Sequence, residues 1–251
     1  MARYVCAMER FPPCAATLVR IEPVARDTLV YTFQLEREMP FRAGQFFNLA
    51  VPTAKPRPER SYSVFSDPGN CNQLELCIKL LEGGAASEML RVGKVGDAHT
   101  FKGPYGVFTL AQDDEPVTFI ATGTGVAPYR AMLREQARLT TEAKAAGIAP
   151  PPRRRYRLYF GVRDEGDLFL IDELETLKTL LPDFDYTICL SRASDAWTGF
   201  RGRVTAAVAA DFPRPDGHFY LCGNGPMIEE TKELLKSRDV DRKRIHFEKY
   251  Y

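Results

Sequence analysis

The chain has 251 residues, 45% hydrophobic and 27% charged, the make-up of a globular protein with one large core or two smaller ones. A net charge of +1 excludes the basic excess that a nucleic-acid backbone demands, and no apolar run approaches the ~18 residues that span a bilayer. Arg3, Glu9 and Arg10 interrupt the N-terminal stretch where a signal peptide needs an unbroken apolar core, so the sequence reads as a non-exported, cytoplasmic protein.

Cys6, Cys14, Cys71, Cys77, Cys189 and Cys222 are irregularly spaced and form no CxxC, which predicts free thiols rather than a disulfide framework. The spacing C-x4-C-x2-C of a plant-type iron–sulfur module is absent.

Up to residue 112 the elements are β-rich. ATLVRIEPVARDTLVYTFQLE holds two strand-like runs around a turn at ARD, FRAGQFFNLAVP and ERSYSVFS follow, and QLELCIKLL alternates cleanly. Pro56, Pro58, the run DPGN at 67–70 and Gly83-Gly84 punctuate them, and AASEMLRV predicts one short helix. Residues 1–112 are therefore predicted to form an antiparallel β-barrel. At the polar break AQDDEP, residues 111–116, the rhythm changes. Strands VTFIATG, RYRLYFGVR, FDYTICLSR and HFYLCGN alternate with helices VAPYRAMLREQARLTTEAKAA, FLIDELETLKTLL, GRVTAAVAA and GPMIEETKELLKSR. That alternation predicts βαβ units in an α/β doubly wound parallel sheet over residues 113–251.

Chemistry-bearing residues cluster at the ends of these elements. In TFIATGTGVAPYRAM a buried strand runs into Gly123-Thr124-Gly125 and then a helix with Pro128 in its first turn. Glycines let a backbone approach a phosphate, and the helix N-terminus offers N–H groups and a positive dipole end. A GxG alone also reads as a tight strand-to-helix turn. Further strand ends carry Gly161-Val162-Arg163, Ser191-Arg192 and CGNGPM at 222–227. An arginine beside a hydroxyl suits a 2′-phosphate, so LSR points to NADP over NAD, a solvated loop charge being the alternative. In ERSYSVFSDP, Arg60 presents a fork that matches phosphate, Tyr62 a flat face for a planar ring, and Ser63 a small donor; alternation sets Arg60 and Tyr62 on one strand face. LEGGAASEML adds a glycine turn and Ser87 at a helix start. The set suits a flavin dinucleotide, with a decorated barrel strand as the competing reading. The basic run over residues 153–157 reads as a solvated loop, with a docking patch for an acidic carrier as the functional alternative. His99, His218 and His246 are scattered without ligand spacing, so no metal is expected.

RSYS, LCIK, GGAAS, GPYGVF, ATGTGVAPYR, SR and CGNGPM, then an acidic–aromatic tail, stand in the order of the ferredoxin–NADP reductase family, which the chain resembles from about residue 16 to the end. The ending FEKYY is similar to that of the bacterial branch, the ferredoxin/flavodoxin–NADP reductases. The resemblance implies FAD and NADP as cofactors. On the FAD side, Arg60 would contact the pyrophosphate, Tyr62 would stack on the flavin, and Ser61 and Ser63 complete the motif with Ser63 near flavin N5. Cys77, Ile78 and Lys79 would line the FAD, and Gly84, Ala85, Ala86 and Ser87 would hold its phosphates. Thr124 and Gly125 would meet the NADP pyrophosphate, and Ser191 and Arg192 its 2′-phosphate, with Arg201 as a second cation. Catalytic roles would fall to Ser63, Cys222, Glu248 and Tyr250, the last covering the other flavin face, and Tyr251 would stack on the FAD adenine.

The chemistry so implied is hydride transfer between nicotinamide C4 and flavin N5, held about 3–3.5 Å apart, with electrons leaving singly to a ferredoxin or flavodoxin. The missing iron–sulfur spacing favours such a separate carrier. Two departures stand out. GGAAS has alanines where plant members carry a cysteine before the serine, and ASDAWTGFRGRV offers no second phosphate ligand by motif, nor any motif role for Trp197. Three other readings stay open: an NADH-linked reductase component serving an oxygenase or cytochrome, a subunit of a larger redox complex, and a cofactor-free binding module. A monomer with no nucleic-acid or membrane partner is expected.

Overall fold

The computed structural model describes residues 12–53, 56 and 58–250; Cys6 and Tyr251, both singled out above, lie outside the described residues. The first sheet is antiparallel. It comprises β1 (Cys14–Ala25), β2 (Thr28–Leu35), β3 (Phe46–Ala50), β4 (Glu59–Ser63) and β5 (Gln73–Lys79), then, after helix α1 (Ala85–Val92), β6 (Ala98–Tyr105). Its order is β4-β3-β6-β1-β2-β5, and the Phe65 amide just past β4 donates to the Glu75 carbonyl of β5 at 2.9 Å, so the two outer strands meet and the sheet curls into a barrel. Period-two alternation sends Phe33, Phe47, Leu49, Leu74, Leu76 and Phe101 inward, where they are fully buried.

The second sheet is parallel, as expected. β7 (Val117–Thr122) leads through a 3-10 turn (Gly123–Val126) into α2 (Ala127–Ala146). β8 (Tyr156–Val162), α3 (Ile171–Leu180), β9 (Phe184–Leu190), β10 (Phe200–Arg201), α4 (Val204–Ala210), β11 (His218–Gly223), α5 (Gly225–Ser237) and β12 (Ile245–Lys249) follow. The order is β10-β9-β8-β7-β11-β12. Alternate residues explain the two helical layers. Phe119, Leu158, Phe160, Tyr220 and Cys222 join α2 and α3 in one core, while Ile120, Tyr159, Phe219 and Leu221 join α4 and α5 in the other. Both faces are covered, so the strands read as continuous apolar runs. The order reverses at β7, whose neighbours are β8 and β11, and such a reversal opens a crevice at the carboxyl ends of the strands.

Three strands were not legible as such. β6 buries only Phe101 and Gly103, and edge strand β12 buries none of its five residues, so neither shows a clean hydrophobic alternation; β10 is two residues long.

The halves share a core in which Val30, Phe65, Cys77 and Phe108 from the barrel side meet Tyr129 and Met132 of α2. Gly44 permits that approach: a Cβ there would lie 2.5 Å from the Met132 Cε of α2 and 1.9 Å from the Phe108 carbonyl oxygen, and its φ is +95°. Polar bridges add to it, Arg26 to Asp164 at 2.9 Å, Lys79 to Asp167 at 3.2 Å and Arg138 to Asp67 at 2.9 Å.

The basic run at 153–157 is solvent-exposed at Arg153 and Arg155, as expected of a solvated loop, but Arg154 is buried and Arg157 half-buried. Arg153 pairs with Asp183, buried Arg154 donates to Asp113 at 2.8 Å, and Arg157 pairs with Asp185 and, at 2.9 Å, Asp211. The histidines are not all scattered: His218 Nδ1 lies 3.1 Å from His246 Nε2, and His218 Nε2 lies 2.9 Å from Asp113. No helix among the described residues is long and apolar enough to cross a membrane.

Candidate active site

The carboxyl ends of β7, β8, β9 and β11 open onto a cavity of about 500 Å3 that also reaches Thr28, Lys79 and Leu81 of the barrel half. Its floor is the turn after β7. Gly123 has a φ of +55°, and a Cβ there would meet nothing within 4 Å, so its backbone faces open space. Gly125 is the opposite case, since its Cβ would lie 2.3 Å from the Cys222 carbonyl oxygen; the glycine lets the 3-10 turn pack against the end of β11. Thr122 Oγ1 accepts from the Asn224 amide at 3.1 Å, and Asn224 Oδ1 caps α5 by accepting from the Met227 amide at 2.9 Å.

Around Tyr250, which lines the cavity, the structure brings together Ser63, Cys222 and Glu248, from distant parts of the chain. Ser63 Oγ donates to Glu248 Oε2 at 3.1 Å across the two halves. Cys222 and Glu248 are register partners on β11 and β12, and the Tyr250 amide donates to the Gly223 carbonyl at 2.8 Å. Burial pushes the Glu248 carboxyl above its ordinary value, with the Ser63 hydrogen bond pulling it partly back. Burial, then the Glu248 charge, holds the Cys222 thiol well above its usual range; burial does the same to the Tyr250 phenol, with Cys222 and Glu248 adding to it. The Tyr250 hydroxyl is buried near Ser63 and Cys222 yet has no partner with hydrogen-bond geometry.

The other expected positions divide. Arg60 and Tyr62 lie on β4 opposite Leu49 and Phe47, with Arg60 Nη1 donating to the Glu59 carbonyl at 2.8 Å, while Ser61 Oγ donates to Asn48 at 2.7 Å. Ser87 Oγ accepts from the Leu81 amide at 2.9 Å, which leaves its own proton to donate outward. Gly84 and Ala85 are half-buried beside it. Thr124, Ser191 and Lys79 line the cavity, and Lys79 Nζ also donates to the Arg26 carbonyl at 3.0 Å.

Five positions differ from expectation. The Ile78 and Ala86 side chains point into the barrel core, and Cys77 is buried in the core shared by the two halves, its thiol pushed up to about 12 by burial. Alternation along β5 separates Ile78 from Cys77. Arg201, expected as a second phosphate cation, is spent on its own loop: Nη2 donates to the Asp195 and Trp197 carbonyls at 2.8 and 3.0 Å, while Trp197 Nε1 donates to the Phe200 carbonyl at 3.3 Å. Arg192 is exposed and does not line the cavity. In their place stand Arg163 and Arg203, with Thr205 donating to Glu230 at 2.9 Å close by. Arg203 was legible in principle, because it sits just past a strand end and immediately before α4.

The donor set fits the groups the resemblance implies. A guanidinium at Arg60 and the backbone amides opening α1 suit a pyrophosphate, the half-buried Tyr62 ring and Tyr250 suit a planar ring system, and the partnerless Tyr250 hydroxyl awaits an acceptor.

Both halves of the chain match known domains. A model described as an oxidoreductase FAD-binding domain matches residues 15–110, and one described as an oxidoreductase NAD-binding domain matches residues 119–233. The chain is 34% identical to Ferredoxin--NADP reductase B of Sorangium cellulosum, covering 95% of this chain and 98% of that protein. It is 31% identical to the phenol 2-monooxygenase reductase component DmpP of Pseudomonas sp. CF600, over 97% of this chain and 66% of that one. The chain spans between 60% and 66% of the length of such oxygenase components. Among solved structures, the Amycolatopsis cytochrome P450 reductase GcoB superposes with a TM-score of 0.83 at 29% identity, over 95% of this chain and 69% of that one.

Proposed function

The chain belongs to the ferredoxin–NADP reductase family and carries an FAD-binding and an NAD-binding domain; on that footing we propose that it is an NADPH-dependent flavoprotein reductase exchanging electrons between NADP(H) and a one-electron carrier, a ferredoxin or flavodoxin. The observation that carries this reading is the meeting of Ser63, Cys222, Glu248 and Tyr250, the last of which lines a cavity that also presents Lys79, Arg163 and Arg203 beside Asp167 and Glu230. A relative named as a ferredoxin–NADP reductase, matched over 98% of its length, supports the choice of carrier.

Bound FAD would supply the conversion between two-electron and one-electron chemistry. The chain's own residues do the rest. Tyr62 and Tyr250 would offer their rings to the flavin, and Arg60 with the amides opening α1 would hold its pyrophosphate. Ser63 would keep a hydroxyl beside the ring, its hydrogen bond given to Glu248, whose carboxyl burial raises above its ordinary value and so suits to hold and return a proton. Tyr250 has to yield its place for the nicotinamide to stack, at a cost on the order of 1 kcal/mol. Gly123 and Thr124 receive the second nucleotide's pyrophosphate, and Arg163, Arg203 and Ser191 its 2′-phosphate; this cation pair supports NADP over NAD.

A second reading, a reductase component for an oxygenase with a preference for NADH, draws support from DmpP and from the toluate 1,2-dioxygenase electron transfer component of Pseudomonas putida, 29% identical over 85% of this chain. Titrating purified protein with each nucleotide separates the two. The protein is expected to be yellow and to bleach with NADPH at far lower concentration than with NADH; a colourless protein that takes up no FAD rejects both readings, and equal response to NADH shifts the choice to the second. Arg203→Ala is expected to raise the KM for NADPH about tenfold, the worth of one charge-assisted phosphate contact, while leaving the KM for NADH unchanged in a dye-reduction assay.

A further inference from the structure

Arg130 stands near the start of α2, just behind the Gly123–Val126 turn, and is only 9% exposed. A cation close to a helix N-terminus opposes the helix dipole, and a buried charge needs partners. Here they come from both halves of the molecule. Nη1 donates to the Phe65 carbonyl at 2.6 Å and to Glu75 Oε2 at 2.8 Å on the barrel side. Nε donates to both carboxylate oxygens of Glu173, in the first turn of α3, at 2.9 Å. The guanidinium carbon lies 3.9 Å from the centroid of the Phe65 ring. Arg134 shares Glu173 at 3.4 Å, so two carboxylates balance two arginines. The planar fork is used at its edges and on its face together, which no lysine can reproduce.

Both sides of this clamp lead straight to the candidate site. Phe65 is two residues past Ser63, roughly 7 Å along an extended chain. Arg130 is four residues past Val126, roughly 6 Å along a helix. The other ion-pair bridges between the halves, such as Arg26–Asp164 and Arg138–Asp67, use more exposed arginines. We infer that Arg130 is a positioning residue that sets the separation between the β4 segment carrying Tyr62 and Ser63 and the Gly123–Val126 turn. Resting on the function proposed above, this assigns Arg130 the spacing between flavin and nicotinamide, where a misplacement of about 1 Å can cost on the order of a hundredfold in rate.

The test is Arg130→Lys in the full-length protein loaded with FAD. FAD content and the KM for NADPH are expected to stay within about threefold of wild type, while kcat falls at least about tenfold and the NADP+-induced difference spectrum shrinks. In protein stripped of FAD, protease cleavage within residues 106–116, the connection between the halves, is expected to quicken severalfold. Wild-type kcat with a wild-type difference spectrum overturns the inference. So does a lower Tm with kcat unchanged at 25 °C, the mark of a merely structural role. If Arg130→Lys does not fold, Glu173→Gln, which loosens the same clamp from α3, carries the same expectations at about threefold in kcat. Wild-type protein that takes up no FAD would instead reject the proposed function, and proteolysis of the stripped proteins would still decide whether Arg130 holds the two segments together.

Discussion

Replacing Glu248 with glutamine is expected to stabilise the folded protein near neutral pH while slowing turnover by about two orders of magnitude, the usual worth of a positioned proton donor or acceptor. The two effects share a cause. Burial raises the Glu248 pKa, and the Ser63 hydrogen bond offsets only part of that rise. In the unfolded chain the carboxyl ionises near ~4.3. Below that pH both states carry the proton and the residue costs nothing. As pH rises through the folded-state value, the native protein must ionise a desolvated carboxyl, so its stability falls relative to the glutamine variant. Melting midpoints recorded from about pH 4 to about pH 8 should coincide at the acid end and separate in the variant's favour above it. Curves that stay parallel throughout would show that Glu248 is not held out of water. Turnover falls because glutamine still accepts the Ser63 hydroxyl but cannot pass a proton.

Gly125→Ala is expected to cost about 3 kcal/mol of stability, at the upper end for overpacking, and to abolish nucleotide binding. The added methyl would sit 2.3 Å from the Cys222 carbonyl oxygen, 2.6 Å from its carbon and 2.8 Å from the Gly223 Cα, all backbone atoms with no flexible end to yield. Relief requires the 3-10 turn to part from β11, which shifts Thr124 and Cys222 together. Gly123→Ala is the control. Nothing lies within 4 Å of its Cβ, so the folding cost is limited to the left-handed backbone at φ +55°, about 1–2 kcal/mol, while the methyl enters the space a phosphate would use. Urea midpoints and calorimetric titration with NADP+ check both. An unchanged midpoint for Gly125→Ala would contradict the packing of the turn against β11.

What the sequence carried well was whatever obeys a local period. The switch from alternating strands to strand–helix repeats was readable because each half buries its apolar residues by one rule, seen in Phe47 and Leu49 of the barrel and in Phe119 and Ile120 of the parallel sheet. The Ser63, Cys222, Glu248 and Tyr250 positions came from motif order, and the fold converges them. Side-chain direction was harder. Ile78 sits in a motif yet faces the barrel core, because β5 assigns faces by alternation and not by chemistry. Charges were hardest, since an ion pair belongs to two distant segments. Arg201 turns back on its loop while Arg203 lines the cavity, and the only local sign of the difference is that Arg203 stands immediately before α4. Nor does anything local mark Arg130 among the arginines of α2, or show that Arg153, Arg154 and Arg157 pair with aspartates from three other segments.

Trp197 is the only tryptophan in the chain, and it sits in the loop joining Ser191 to Arg203 with its ring folded over Gly199. Ultraviolet light absorbed by indole therefore interrogates a single place, beside the lining that would grip a phosphorylated ribose. Emission from this residue gives an unlabelled optical gauge of nucleotide arrival, separable from the visible colour of any flavin and usable on protein that has lost it.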